Sequence, residues 1–275
     1  MIYVPQYLIR KIAESEDFLN GDPLKAIQKS IDGCNYPVTF LERYFGNKLK
    51  TLKILEIGSG NGFSLCHALL QGLDIVGIEP GAHGFEGRYT RAIELLRLND
   101  IDNPKSRLFN AAAESLPFKR NTFDVVFSVA VLEHVKNLDT VMSEAMRVLK
   151  PVGMFWANVP NYNSVWEGHY KMLWMPHMSK TMAKRYVEFR GRDAAFIDTL
   201  NFTTPKMFKG QKFLYGRGFL NYIFSAYNFC VEPRLIPDKY KWFSKFKFLK
   251  YPLFVCVKIL EALGQGVIFD VVIRK

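Results

Sequence analysis

The sequence predicts an open, mostly parallel α/β sheet with helices on both faces and a nucleotide-type binding turn. Three observations carry this. Residues 53–80, KILEIGSGNGFSLCHALLQGLDIVGIEP, run apolar segment, glycine turn, helical pattern, apolar segment, acid, which is the order of a first βαβ unit. Further apolar runs at Phe123–Ser128 and Met154–Val159 alternate with helical patterns, as in a doubly wound sheet. The chain has 275 residues, 49% of them hydrophobic, enough to bury a full core.

Residues 1–50 carry helical patterns broken at Gly21-Asp22-Pro23 and near Tyr36-Pro37. Asp22 caps a helix with Pro23 in its first turn, running to about Ile31. This segment is a helical cover for the sheet. The first strand, Ile54–Ile57, ends in Gly58-Ser59-Gly60-Asn61-Gly62, a helix follows over Phe63–Gln71, and the second strand, Ile75–Ile78, closes on Glu79. Alternate glycines let the backbone turn tightly and approach a ligand, beside free N–H groups at the helix start. Glu79 is placed to accept the hydroxyls of a ribose. A dinucleotide fingerprint needs a glycine at 63, where this chain has Phe63, which argues against NAD.

Glu56-Ile57-Gly58-Ser59-Gly60-Asn61-Gly62 resembles the E/D-x-G-x-G-x-G motif of class I S-adenosylmethionine-dependent methyltransferases. After a helix at Arg88–Asn99 and a short strand around Arg107–Phe109, Ala113-Glu114-Ser115-Leu116-Pro117-Phe118 and Phe123-Asp124-Val125-Val126 resemble that family's A-E-x-L-P-F and F-D-x-V blocks. Leu132-Glu133-His134-Val135, a helix from about Leu138 to Leu149, and a Lys150–Gly153 turn into a strand at Met154–Val159 resemble its L-E-H-V and R-V-L-K-P-G-G blocks, with Val152 replacing the first glycine. The likeness runs from 53 to 160 in one order. It implies a seven-stranded sheet of order 3-2-1-4-5-7-6 with a lid inserted after strand five, and S-adenosyl-L-methionine as cofactor. It also implies a cofactor site of Glu56, Gly58, Ser59, Gly60, Gly62, Glu79, Pro80, Ala113, Glu114 and Ser128. Ala112 stands where relatives often have an Asp facing the adenine.

The expected organisation is one structural domain: helical cover at 1–50, cofactor core at 51–160, acceptor-binding lid at 161–205, and completion of the core at 206–275. The lid begins Asn161-Tyr162-Asn163-Ser164-Val165-Trp166-Glu167-Gly168-His169-Tyr170, dense in polar and aromatic groups beyond a strand's C-terminal end, where open α/β sheets bind ligands. Asn161, Tyr162, Glu167 and Tyr170 are the expected acceptor contacts. The run also resembles bacterial methyltransferases of cell-surface polysaccharide biosynthesis, which share N-Y, E-G-H-Y and W-x-P. Beyond it, Phe208–Phe229 reads as mostly helical, Val231–Ile236 and Val267–Ile273 as the last two strands, with Lys239–Gly264 inserted between them.

His134 and His169 are the two candidate bases, each with an ordinary structural alternative, a helix-capping histidine and a surface-loop histidine. Some ubiquinone-type O-methyltransferases, which this stretch resembles, hold a divalent ion on Glu-x-x-Glu-His; the first Glu corresponds to Ala130 here, leaving two ligands, and no metal is expected.

The formal charge of +11 is uneven: residues 1–164 hold 18 basic against 18 acidic side chains, and residues 165–275 hold 19 against 8. Lysines alternate with aromatics from Lys239 to Tyr251. That pattern fits a peripheral contact with an anionic membrane, a helix packing its aromatics and solvating its lysines, or, least well, nucleic acid. The longest late apolar run, Tyr251–Val257, contains Pro252 and falls far short of the roughly 20 residues a spanning helix needs. The N-terminus lacks the pattern of a secretory signal. Cys34, Cys66, Cys230 and Cys256 show no C-x-x-C spacing, which predicts a reducing, cytoplasmic compartment. Taken together, the expected activity is O-methylation of a small-molecule or glycan-type acceptor in cell-surface polysaccharide or secondary-metabolite biosynthesis. The alternatives are C-methylation of a membrane quinone-like ring and a non-catalytic adenosylmethionine-binding partner.

Overall fold

A computed structural model describes residues 2–15, 22–81, 87–208, 212–215 and 268–275. The chain divides into two compact units, Met1–Val129 with Asn137–Trp156 and Arg274–Lys275, and Ala130–Lys136 with Ala157–Ile273. Strands β1 (Lys53–Ile57), β2 (Asp74–Ile78), β3 (Leu108–Phe109), β4 (Phe123–Val129), β5 (Leu149–Pro160), β8 (Lys212–Tyr215) and β9 (Ile268–Arg274) form one sheet; a separate hairpin pairs β6 (Trp166–Glu167) with β7 (Met172–Leu173). The sheet order is β3-β2-β1-β4-β5-β9-β8, which is 3-2-1-4-5-7-6 once the hairpin is set aside.

In the first unit, β1 runs parallel to both β2 and β4, with Ile54 opposite Ile75 on one side and Val125 on the other. Ile54, Leu55 and Ile57 are fully buried, as central parallel strands covered on both faces must be. Helices α1 (Gln6–Ser15), α2 (Pro23–Asp32) and α3 (Tyr36–Phe45) form the N-terminal cover. Asp22 caps α2 by accepting the Leu24 N–H. Phe40 on α3 stacks on the buried Trp156 ring at 3.7 Å. Tyr7 and Lys11 on α1 reach Glu94 on α5 (Arg88–Leu98), each at 2.9 Å. Helices α4 (Phe63–Leu70), α6 (Pro104–Arg107) and α7 (Leu138–Val148) complete this unit. The second unit adds α8 (Lys180–Phe189).

Two sequence expectations change. The Lys150–Gly153 turn is part of β5, because the backbones of Val152 and Gly153 pair with Lys275, at 3.2 and 3.1 Å, and carry the strand back to Leu149. The partner of β9 is β8 at 212–215, inside the stretch read as helical; it pairs antiparallel, Phe213 with Val271 and Tyr215 with Phe269, and its aromatic-rich sequence suits a strand. Residues 231–236, expected to supply that strand, the 239–264 insertion, its basic aromatic segment 239–251, and Cys230 and Cys256 lie outside the described residues. Among the described residues, no helix is long and apolar enough to cross a membrane.

Val152 sits at φ 60° and is 80% exposed. A β-branched residue in the left-handed region is strained, and here almost no burial offsets it. Val152→Gly is expected to stabilise the protein by about 1 kcal/mol, seen as a rise of roughly 3 °C in melting temperature.

Candidate functional site

The glycine turn of the first unit is strapped to β2 by backbone bonds. Gly58 and Ser59 N–H groups donate to the Ile78 carbonyl at 3.0 and 2.9 Å, and the Gly60 N–H donates to Glu79 Oε2 at 2.7 Å. One oxygen of the expected ribose-binding carboxylate is therefore already shaping the turn. Gly60 has φ 55°, and a Cβ built there would meet nothing within 4 Å, so the turn opens on that side. Gly62, at φ 82°, has the opposite reason: a Cβ would come 2.9 Å from that of Ala92 on α5.

Glu56 is buried at the end of β1 and accepts a 2.9 Å hydrogen bond from the Ser59 hydroxyl. Burial pushes its carboxyl up to about 8, and Glu79 adds to the rise, against the lowering effect of Ser59. Pro80 follows Glu79, and the next N–H, of Gly81, donates to Asn110 Oδ1 at 2.9 Å. Ala113 is buried in the turn that carries Glu114, whose Oε1 accepts the Asn137 N–H at 3.4 Å. Ser128 in β4 is buried, and its hydroxyl has no hydrogen-bond partner among the described residues.

Sequence reading missed two supports of this unit. Arg147 on α7 donates to the Phe118 and Leu116 carbonyls at 2.8 and 3.0 Å and pairs with Glu144 at 2.6 Å, while Glu144 accepts the Leu116 N–H at 2.8 Å. The pair clamps the Leu116–Phe118 loop, and its own hydrogen bond holds Glu144 below the usual carboxylate range. Arg91 on α5, buried, donates to Asn61 Oδ1 at 2.8 Å and fixes the glycine turn from the other side. Their i,i+3 spacing makes Glu144 and Arg147 findable as a helix pair; nothing in the sequence says which loop they hold.

The second unit holds a cavity of about 250 Å³ lined by, among others, Glu133, Asn161, Tyr162, Trp166, Glu167 and His169. The β6–β7 hairpin positions the last two. Glu167 is buried; its Oε2 accepts the Tyr170 N–H at 2.6 Å, and its Oε1 lies 2.8 Å from His169 Nδ1. Burial disfavours the charged imidazole, but the hydrogen bond and charge of Glu167 outweigh it, so the His169 pKa is raised above 6.5. The buried Tyr162 hydroxyl lies 3.4 Å from His169 Nδ1 and 3.5 Å from Glu167 Oε1. Burial, with the charges of Glu167 and Glu133, raises the Tyr162 phenol. Phe202, which the sequence did not single out, stacks on Tyr162 at 4.6 Å. Asn161 Oδ1 accepts the Asn163 N–H at 3.1 Å.

Two expected site residues take other places. Tyr170 is absent from the cavity wall: it is 1% exposed and its hydroxyl donates to the Asp193 carbonyl at 2.8 Å. His134 also lies off that wall, edge-on to His169 with ring centres 5.5 Å apart and tilted against Phe196 at 5.8 Å. The sequence offered two metal-type donors, Glu133 and His134; folding adds His169, and donor atoms of the three lie within 4.8 Å of one another.

An α/β sheet of this order with a glycine turn strapped to an acid at the end of β2 belongs to the class of doubly wound folds that bind ligands beyond the carboxyl ends of their strands. Residues 55–157 match the family model described as a methyltransferase domain. A ubiquinone biosynthesis O-methyltransferase of Bartonella bacilliformis is 27% identical over 135 residues, 46% of this chain and 50% of that protein. A sterol 4-C-methyltransferase of Caenorhabditis elegans is 36% identical over 73 residues, 25% of this chain and 22% of that one. The chain thus spans half or less of the length of these curated relatives. A Galdieria sulphuraria structure, provisionally named a sarcosine dimethylglycine methyltransferase, shares the fold at TM-score 0.50 and 13% identity over 98% of each chain. Over residues 55–157 the chain is thus similar to methyltransferase domains.

The first unit suits the S-adenosyl-L-methionine expected from its sequence on two observations: the open side of Gly60 and the unmatched Ser128 hydroxyl. Gly60→Arg is expected to abolish S-adenosylhomocysteine binding in calorimetry while leaving the circular dichroism spectrum unchanged. Between pH 4.5, the ordinary Glu56 value, and about 8, its folded value, the folded protein holds a proton the unfolded chain has lost. Stability therefore falls as pH rises through that window. Glu56→Gln should flatten the decline of melting temperature with pH and exceed wild type by several degrees at its upper end.

Proposed function

We propose that the protein methylates a hydroxyl oxygen of a small molecule bound in the second unit's cavity, with His169 as general base. The observation that carries this is the Glu167–His169 pair, 2.8 Å apart on the cavity wall. S-adenosylmethionine, when bound, supplies a methyl group made electrophilic by its sulfonium. The residues proposed to hold it are Glu56, Gly58, Ser59, Gly60, Gly62, Glu79, Pro80, Ala113, Glu114 and Ser128. The names of the ubiquinone biosynthesis O-methyltransferase relatives support oxygen as the methylated atom.

A hydroxyl that takes a methyl group must lose its proton. Glu167 accepts the Nδ1 proton of His169, which selects the tautomer with its basic lone pair on Nε2. The same carboxylate raises the ring's affinity for the acceptor's proton. Asn161 and Tyr162 line the cavity as acceptor contacts, and Tyr170 supports the hairpin from behind. His134 backs the His169 ring as a positioning residue.

His169→Ala is expected to lower kcat by roughly 10²–10⁴-fold without changing S-adenosylhomocysteine affinity, measured by labelled methyl transfer to catechols and monosaccharides. Because the unprotonated ring is the active form, log kcat should climb with pH through a value above 6.5 and then level off. Glu167→Gln should move that midpoint down. A His169→Ala protein with unchanged kcat would remove the base assignment.

A further inference from the structure

Two polar groups on residues of the second unit's cavity wall have no hydrogen-bond partner among the described residues. Glu133 is fully buried and both of its carboxylate oxygens are unmatched. His134 Nε2, 4.0 Å from Glu133 Oε1, stands beyond hydrogen-bond reach. Trp174 is 4% exposed, and its indole Nε1 is unmatched too. The local backbone has other hydrogen bonds to hold it. The turn at 131–135 is fixed by the His134 N–H on the Val131 carbonyl and by Asn201, which donates to the Glu133, Leu132 and Val135 carbonyls. The Trp174 backbone N–H donates to Val165.

A buried carboxylate that accepts no hydrogen bond, with its nearest imidazole nitrogen 4.0 Å away, is unfavourable and needs an explanation. Burial already pushes the Glu133 carboxyl up to about 7. The cavity wall indicates the kind of group that would complete it. Among the described residues no Lys or Arg lines it, a second carboxylate, Glu167, does, and Tyr162, Trp166 and Trp174 contribute aromatic rings. Two acids and aromatic faces, with the His169 imidazole already engaged by Glu167, favour a cation at Glu133. Resting on the methyl-transfer reading above, we propose that the acceptor carries a protonated amino group seated on Glu133, in addition to the hydroxyl that takes the methyl. The acceptor is thus an amino alcohol in the broad sense, an aminated phenol or an amino sugar. A protonated amine has no lone pair for a methyl group, so it anchors the molecule while the hydroxyl reacts. The Trp174 indole N–H donates to an oxygen of the same ligand.

The test uses the full chain saturated with S-adenosylhomocysteine and titrated by calorimetry with tyramine and with tyrosol, which carries an alcohol in place of the amine. Tyramine is expected to bind at least about tenfold more tightly. Glu133→Gln should erase the difference, and Glu133→Asp, which keeps the charge, should retain part of it; S-adenosylhomocysteine binding reports that each variant is folded. Equal affinities, no tyramine binding to wild type, or a preference that persists in Glu133→Gln would overturn the proposal. So would Mn²⁺ binding that excludes tyramine and is lost in Glu133→Gln, since the carboxylate would then belong to a metal. Failure of wild type to bind S-adenosylhomocysteine counts instead against the methyl-transfer reading, and the tyramine and tyrosol comparison still decides the amine seat.

Discussion

The first unit depends on the hydrogen bond from the Gly60 N–H to Glu79. It joins the turn after β1 to the end of β2, so the two carboxylates Glu56 and Glu79 and the helix α4 hold their places together. The parallel register sets this up by putting Glu56 opposite Gly77. Gly77 has no room for a side chain, because a Cβ there would lie 2.1 Å from the Ser59 hydroxyl. That hydroxyl in turn donates to Glu56. Strand pairing, a missing side chain and a buried carboxyl are successive links in one chain of causes.

Buried acids recur in both units under different conditions. Glu56 has a hydroxyl donor; Glu133 has none among the described residues. Burial raises both, to about 8 and about 7. A carboxyl with an internal donor can rest neutral in a folded protein at modest cost, whereas one without a donor costs more to keep buried. Glu167 is a third case. It is buried yet engaged with His169 and the Tyr170 backbone.

The first βαβ unit was legible because its signals are local: apolar runs, alternate glycines and a terminal acid within residues 53–80. The same locality placed Asp22 as a cap and Val152 in a glycine's position, where it adopts φ 60°. Pairing between distant residues was not legible. Nothing near Arg147 indicates that its guanidinium holds the Leu116–Phe118 loop, and nothing near Phe202 marks it as the platform for Tyr162. Tyr170 was misread for the same reason. Its position beside Glu167 and His169 in sequence suggested a shared surface, but the β6–β7 hairpin turns its ring inward to Asp193. The strand at 212–215 was hidden because its aromatics suit a helix face or a strand equally until β9 supplies a partner.

Glu167 divides its two oxygens between a ring nitrogen and a main-chain N–H, which has a practical consequence for attempts to reshape this cavity. A library randomised at 167 would mix loosened hairpins with altered chemistry, and most of its losses would be uninformative. Trp166, one residue earlier, points the other way along the strand pleat, is 40% exposed and still borders the cavity. Diversity introduced there changes the cavity's wall while leaving the side-chain bonds of Glu167 alone, making it the better starting point for redesign.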